Sequence, residues 1–187
     1  MPSPVGHALG GLIVALVATP DNHEDHEGHQ ERQGREAARS WTSKATLRVH
    51  RVYLVTCVLA ACLPDIDFAW GRHSMETHSV GFALFIGLAV FGFFRSPRLA
   101  IAALLSVGTH VLFDWLGSDD FPPLGVMAMW PFNREFYFAD AYVFATISRR
   151  YWLEGFVAHN VLAVLREIAI LLPLAALAYW WRRRGTV

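Results

Sequence analysis

The sequence predicts an all-α integral membrane protein, a helical bundle of about five transmembrane segments forming one domain over residues 1–187. Three observations lead there. Hydrophobic residues make up 54% of the chain and charged residues 17%, against about 25% charged in a soluble domain. The apolar residues are gathered into five runs separated by polar stretches. The last run closes on Tyr179, Trp180 and Trp181 followed by Arg182, Arg183 and Arg184, an aromatic belt and a basic anchor of the kind found where a helix leaves a bilayer. The 16 basic residues balance the 16 acidic ones, so net charge points to neither nucleic acid nor an acidic partner. Cys57 and Cys62 lie five apart in one apolar run, face different sides of a helix, and read as small core residues.

The first run, residues 5–20, has no basic residue before it, and the first Arg is Arg32. It therefore reads as a membrane helix rather than a cleaved signal. It is short of the roughly 20 residues of a clean span. Gly6 and Gly10 are placed to let a second helix approach closely. Residues 21–51 form a polar loop, with His23, His26 and His29 among acidic residues and then six basic ones. Its first part is a solvated loop or a metal-capturing tract; residues 37–50 are expected as a surface helix on the basic side. Residues 52–63, 80–94, 99–116 and 156–181 are the remaining four segments. Between the last two, residues 117–155 mix prolines with many aromatics and suit an ordered, partly interfacial loop. If all five segments cross, eleven of the basic residues share the side of the C-terminus and four share the other. That puts the N-terminus outside and the C-terminus in the cytoplasm, in the cell (inner) membrane.

This topology carries His7, Asp65, Asp67, His73, His78, His110 and Asp114 to the outer end of the bundle. His110 and Asp114 are four apart and share one helix face. Pro64 disfavours helix at the residue before it and lets the Asp65-Ile66-Asp67 carboxylates leave the second segment in a turn. His78 falls where the third helix starts, with Thr77 or Ser79 as its cap. Ionisable groups in or beside membrane segments are expensive and usually belong to a functional site. All seven are read as metal ligands, and Asp65, Asp67, His78, His110 and Asp114 also as catalytic. Mixed His and Asp donors suit zinc, manganese or iron better than calcium or magnesium, with zinc or manganese favoured. Seven donors exceed the four of one zinc, so one or two divalent ions are expected. Glu76 is a solvated loop residue or a general base, and the Arg166-Glu167 pair inside the last segment is expected to be internally paired.

Five pieces occur in order: His7; L-P-D-I-D at 63–67; R-H-S-M-E-T-H-S at 72–79; T-H-V-L-F-D at 109–114; and P-P-L-G-V-M-A-M-W-P-F at 122–132. This set resembles the membrane-bound metal-dependent hydrolases, the LexA-regulated inner-membrane hydrolase group. That family's usual H-R-G-x-T-H-S is here His73-Ser74-Met75-Glu76-Thr77-His78-Ser79. Both histidines and T-H-S are kept and the Arg-Gly is lost, leaving Arg72 as the nearby cation. The His-rich loop lies outside the family core. The resemblance implies metal-dependent hydrolysis. A more distant similarity to the helical zinc phospholipase C and P1 nuclease group implies phosphoester chemistry.

The expectation is thus an enzyme that cleaves a phosphoester or related bond, of a small molecule or of a lipid, through a metal-activated water at the outer membrane face. The rivals are a divalent-metal transporter, with residues 21–29 as its acceptor, and a scaffold whose metal is purely structural.

Overall fold

A computed structural model describes residues 1–20, 32–70, 73–119, 122–139 and 141–184. Helix α1 (Pro4–Ala18) begins where Ser3, in extended conformation, accepts a hydrogen bond from Gly6 N at 3.3 Å. Pro4 follows, with a preset φ at a position whose N–H would have no partner. Helix α2 (Arg32–Cys62) runs directly into a 3-10 helix over Leu63–Trp70. Helix α3 (Val80–Phe94) is capped by Ser79, whose hydroxyl accepts from Phe82 N at 3.1 Å. A tight turn through Arg95, at a φ of 56°, leads to Ser96 and Pro97, which start α4 (Pro97–Leu116). Helix α5 (Phe156–Arg184) passes unbroken through Pro173. Among the described residues there is no strand, only isolated bridges of Gly117 with Phe144 and of Val126 with Tyr137.

Three helical stretches are long and apolar enough to cross a membrane, Lys44–Ala69, Pro97–Leu116 and Phe156–Arg184. The other two, α1 and α3, have 15 residues each. They reach only about 22 Å against a hydrocarbon core of about 30 Å. Packing is inverted relative to a soluble protein. The interior is built from small residues such as Ala60, Ala61, Ala83, Ala102 and Ala103, while Leu59, Phe85, Leu88, Phe93 and Leu162 are each more than 60% exposed. Outward-facing side chains of that size fit lipid, and the small inner ones let helix backbones approach. The chain folds as a helical membrane bundle, as its composition and its five apolar runs predict. One expectation needs correcting. Residues 37–50 do not make a separate surface helix; they belong to α2, which continues without a break into the second apolar run. The tract with His23, His26 and His29, and Arg72, lie outside the described residues.

Helix α1 occupies the centre, packed against α2, α4 and α5. Its glycines make this possible. A Cβ on Gly11 would stand 2.5 Å from the Cys57 carbonyl oxygen and 2.9 Å from Ala61 Cβ, and one on Gly10 would meet the Phe113 ring at 2.8 Å. Both ends of α1 are tied to α5. Glu167, fully buried, accepts from Ser3 N at 2.7 Å and from the Ser3 hydroxyl, placing a carboxylate at the helix N-terminus where the dipole favours it. Arg182 donates to Leu16 O at 3.2 Å. Arg166 and Glu167 are therefore not each other's partners: Arg166 donates instead to Tyr142 O at 2.6 Å.

Because the obstacle at Gly11 is helix backbone, Gly11→Val should destabilise the bundle by roughly 1–3 kcal/mol. The unfolding midpoint in detergent should fall clearly below wild type; an unchanged midpoint would show that α1 does not pack as described.

Candidate metal centre

Four local features deliver the ligand-type side chains to one end of the bundle. His7 lies on the first turn of α1, held by the Ser3 cap, with its own N–H bonded to Ser3 O at 3.2 Å. The 3-10 helix after Pro64 turns Asp65 and Asp67 inward from the end of α2. The capped start of α3 fixes His78, whose N–H donates to Met75 O at 3.0 Å. The last turns of α4 present His110 and Asp114 from one face, both buried.

The Asp114 carboxylate is the meeting point. His7 Nε2 lies 3.4 Å from its Oδ1, and His78 Nε2 and His110 Nε2 lie 3.3 and 3.2 Å from its Oδ2. Asp65 Oδ1 closes the group, 3.8 Å from His78 Nε2 and 3.7 Å from His110 Nε2. The rings of His7 and His110 stack, with centroids 3.6 Å apart. These separations exceed good hydrogen bonds. They match the edges of a coordination polyhedron, since donors about 2.0–2.2 Å from one ion stand about 3.3–3.6 Å apart at tetrahedral angles. His78 Nε2, His110 Nε2 and both Asp114 oxygens are buried without a hydrogen-bond partner among the described residues. Leaving such groups unpaired away from water costs about 1–3 kcal/mol each. A divalent cation would satisfy all of them at once. Three combinations of these residues have donor atoms close enough for one ion: His7, His110 and Asp114; Asp65, His78 and His110; and Asp67, His73 and His78.

The neighbours hold the imidazoles in register. His110 Nδ1 is 2.6 Å from Ala61 O, which can only accept, so Nδ1 carries the proton and Nε2 keeps its lone pair for the centre. On His78 the other nitrogen, Nδ1, faces Asp67 Oδ2 at 3.2 Å. Asp67 is further engaged by Thr77 Oγ1, which donates to Oδ2 at 2.9 Å, and by His73 Nδ1, 2.9 Å from Oδ1. All seven residues picked from the sequence thus come together, in two layers: Asp114 with four around it, and Asp67 and His73 behind His78. Burial alone would push the His78 imidazole down. The carboxylates of Asp65 and Asp67 and the charge of Asp114 outweigh it, and hold the group up at about 9.

Segment 117–155 closes over this end. Its backbone takes the first N–H groups of α3, with Val80 N bonded to Ala128 O at 2.8 Å and Gly81 N to Trp130 O at 2.9 Å, and Met127 N reaches Ser74 O at 2.9 Å. Beneath it lies a cavity of about 490 Å³ that reaches Asp65 and His73 and is also lined by Met1, Phe68, Ser74 and Arg149. Reading the sequence missed Phe68 and Arg149, which sit outside the ligand motifs. It also missed Thr77 as a partner of Asp67; Ser79 alone is the cap. His159, at the start of α5, bonds Thr146 O at 2.8 Å, and Glu76 accepts from the Ser79 hydroxyl through its carbonyl. Neither joins the cluster.

The model of the YdjM inner membrane protein family matches residues 1–185. The chain belongs to that family. It is a membrane protein, and the family name agrees with the apolar helices in placing it in an inner membrane. No curated protein and no solved structure matches the chain.

Adding zinc or manganese to this YdjM-family protein, stripped of metal, should raise its thermal midpoint. The gain is about 2.7 kcal/mol at a hundredfold excess over the dissociation constant, and it should vanish in His110→Ala. Calorimetric melts in detergent check this; a wild type that ignores both metals would rule out the centre.

Proposed function

We propose that this protein is a metal-dependent hydrolase of the inner membrane. It cleaves a phosphoester or related bond at the outer face, with a lipid or a small molecule as substrate. The observation that carries this reading is the ring of unpartnered, buried His and Asp atoms around Asp114, joined to a cavity large enough for a substrate head group. A sealed structural site would have no such approach. The ordered motifs shared with the membrane-bound metal-dependent hydrolases support the same chemistry. The distribution of basic residues supports the outer face.

In this reading His7, Asp65, His78, His110 and Asp114 hold one divalent ion, zinc or manganese. When bound, that ion supplies positive charge and an acidified water for attack on the ester. Asp65 is the most exposed of the five, its side chain 20% accessible, and borders the cavity. Asp67 Oδ2 stands 3.2 Å from His78 Nδ1, which also bonds Thr77 Oγ1 at 3.1 Å, and together they keep Nε2 aimed at the centre. The short contacts of Asp67 with Thr77 and His73 leave it less free to ligate a second ion. His73 stands at the cavity wall, with Nδ1 on Asp67 Oδ1 and Nε2 2.9 Å from Met1 Sδ. A carrier would place its donors near the bilayer midplane, whereas these gather where four helices begin or end.

Asp65→Ala should abolish metal-dependent hydrolysis with unchanged expression, and undiminished turnover would remove the assignment. Asp67→Asn should weaken metal binding by about 10–100-fold at unchanged stoichiometry; a halved metal content, read by plasma mass spectrometry, would instead indicate two ions. His78 stays protonated in the metal-free protein up to about pH 9, and an ion needs the neutral imidazole. Binding at neutral pH should therefore release a proton, and affinity should fall as pH falls below 9. Calorimetry in buffers of different ionisation enthalpy measures that proton, and a pH-independent affinity would contradict the placement of His78.

A further inference from the structure

The cavity has a second end, which the metal centre does not use. Arg149 lines it, and its guanidinium carbon sits 4.0 Å over the Phe68 ring. Phe68 stacks on His73 with centroids 3.8 Å apart and planes 20° from parallel. A ring face has room for one partner at such distances, so guanidinium and imidazole lie on opposite faces of Phe68. The result is a stack from Arg149 through Phe68 to His73, which is bonded to Asp67. A stacked guanidinium keeps its N–H donors at the rim, in the plane, where they can grip an oxyanion.

The backbone beside Arg149 is anchored. Asn160 of α5 accepts from Ser148 N at 2.8 Å and donates to Ser148 O at 3.0 Å, and His159 holds Thr146 two residues earlier. Among the described residues no carboxylate forms an ion pair with Arg149. Asp119, in the same lining, has Oδ2 occupied by Gly125 N at 3.0 Å. Arg150 adds a second positive charge to the wall. Directly after it, Tyr151 and Trp152 are 76% and 68% exposed, as side chains at the headgroup level of a bilayer are.

We propose that Arg149, braced by Phe68, is a positioning residue that binds the phosphate of the substrate, and that the ligand of this cavity is an anionic phosphate ester lying between Arg149 and the metal centre. The proposal rests on the hydrolase reading for what happens to that ester; the anion site is tested separately. The same phosphate could arrive on a membrane lipid or on a soluble ester.

The experiment is calorimetric titration of zinc-loaded protein in detergent with glycerol 3-phosphate and with dihexanoyl phosphatidic acid, on wild type, Arg149→Ala and Arg149→Lys. Metal content is measured on every sample. Arg149→Ala should lose about 10–100-fold in affinity for both probes at unchanged metal content, with Arg149→Lys intermediate because it keeps the charge and loses the stack. Equal affinities in wild type and Arg149→Ala, or no binding to metal-loaded wild type, would overturn the proposal while the metal centre stands. If no sample holds metal, the hydrolase reading fails. Arg149-dependent binding of either probe would then still support the anion site, and its absence would overturn it. Tenfold tighter binding of the phosphatidic acid would identify a lipid source, and equal binding a soluble one.

Discussion

A carboxylate buried in a membrane helix needs a positive partner, and Asp114 has three imidazole nitrogens within 3.4 Å and, among the described residues, no hydrogen bond on either oxygen. Much of the architecture follows from meeting that need. His7 can reach Asp114 only if α1 runs through the middle of the bundle. That path is open only because Gly10 and Gly11 have no side chain where α4 and α2 cross. The start of α1 is in turn fixed by Ser3 and Glu167. A buried carboxylate on α5 thus sets the position of a histidine on α1 without touching the centre itself.

The second constraint is the open end of the bundle. The first N–H groups of α3 point out of the helix and would be unpaired under a protein cover. Segment 117–155 supplies the carbonyls of Ala128 and Trp130 for them. By docking there it also roofs the cavity that leads to Asp65 and His73. One segment therefore serves both: residues 128 and 130 complete α3, and residues 119, 122, 123 and 146–150 line the cavity. Anchoring of residues 146–148 by His159 and Asn160 completes the far wall.

Small residues inside and large apolar residues outside allow this crowding. With Ala, Gly and Cys at the helix crossings, backbones come close enough for His110 Nδ1 to reach the carbonyl of Ala61 on α2. A core of leucines would hold α2 and α4 too far apart for that bond, and His110 would lose the partner that orients it. The two short helices, α1 and α3, both begin at the cluster, so their first turns hold His7 and His78 in place beside Asp114.

The sequence by itself determined the class, the five apolar helical runs and the seven His and Asp residues that gather at one end. Hydropathy marks buried and lipid-facing runs, and a His or Asp at the edge of an apolar run is costly enough to be visible without coordinates. The seven residues were legible for that reason. The cap of α3 was narrowed to Thr77 or Ser79, and Pro64 marked the end of α2, where a 3-10 helix stands in place of the expected turn. What only the tertiary structure decided is which atoms meet. The separation of Asp67 and His73 from Asp114 and the four residues around it, the use of Ala61 O, the Ser3–Glu167 tie and the stacking of Arg149 on Phe68 all depend on positions far apart in the chain. Contacts of that kind depend on helix crossing distances and side-chain rotation, and neither leaves a local pattern in the order of residues.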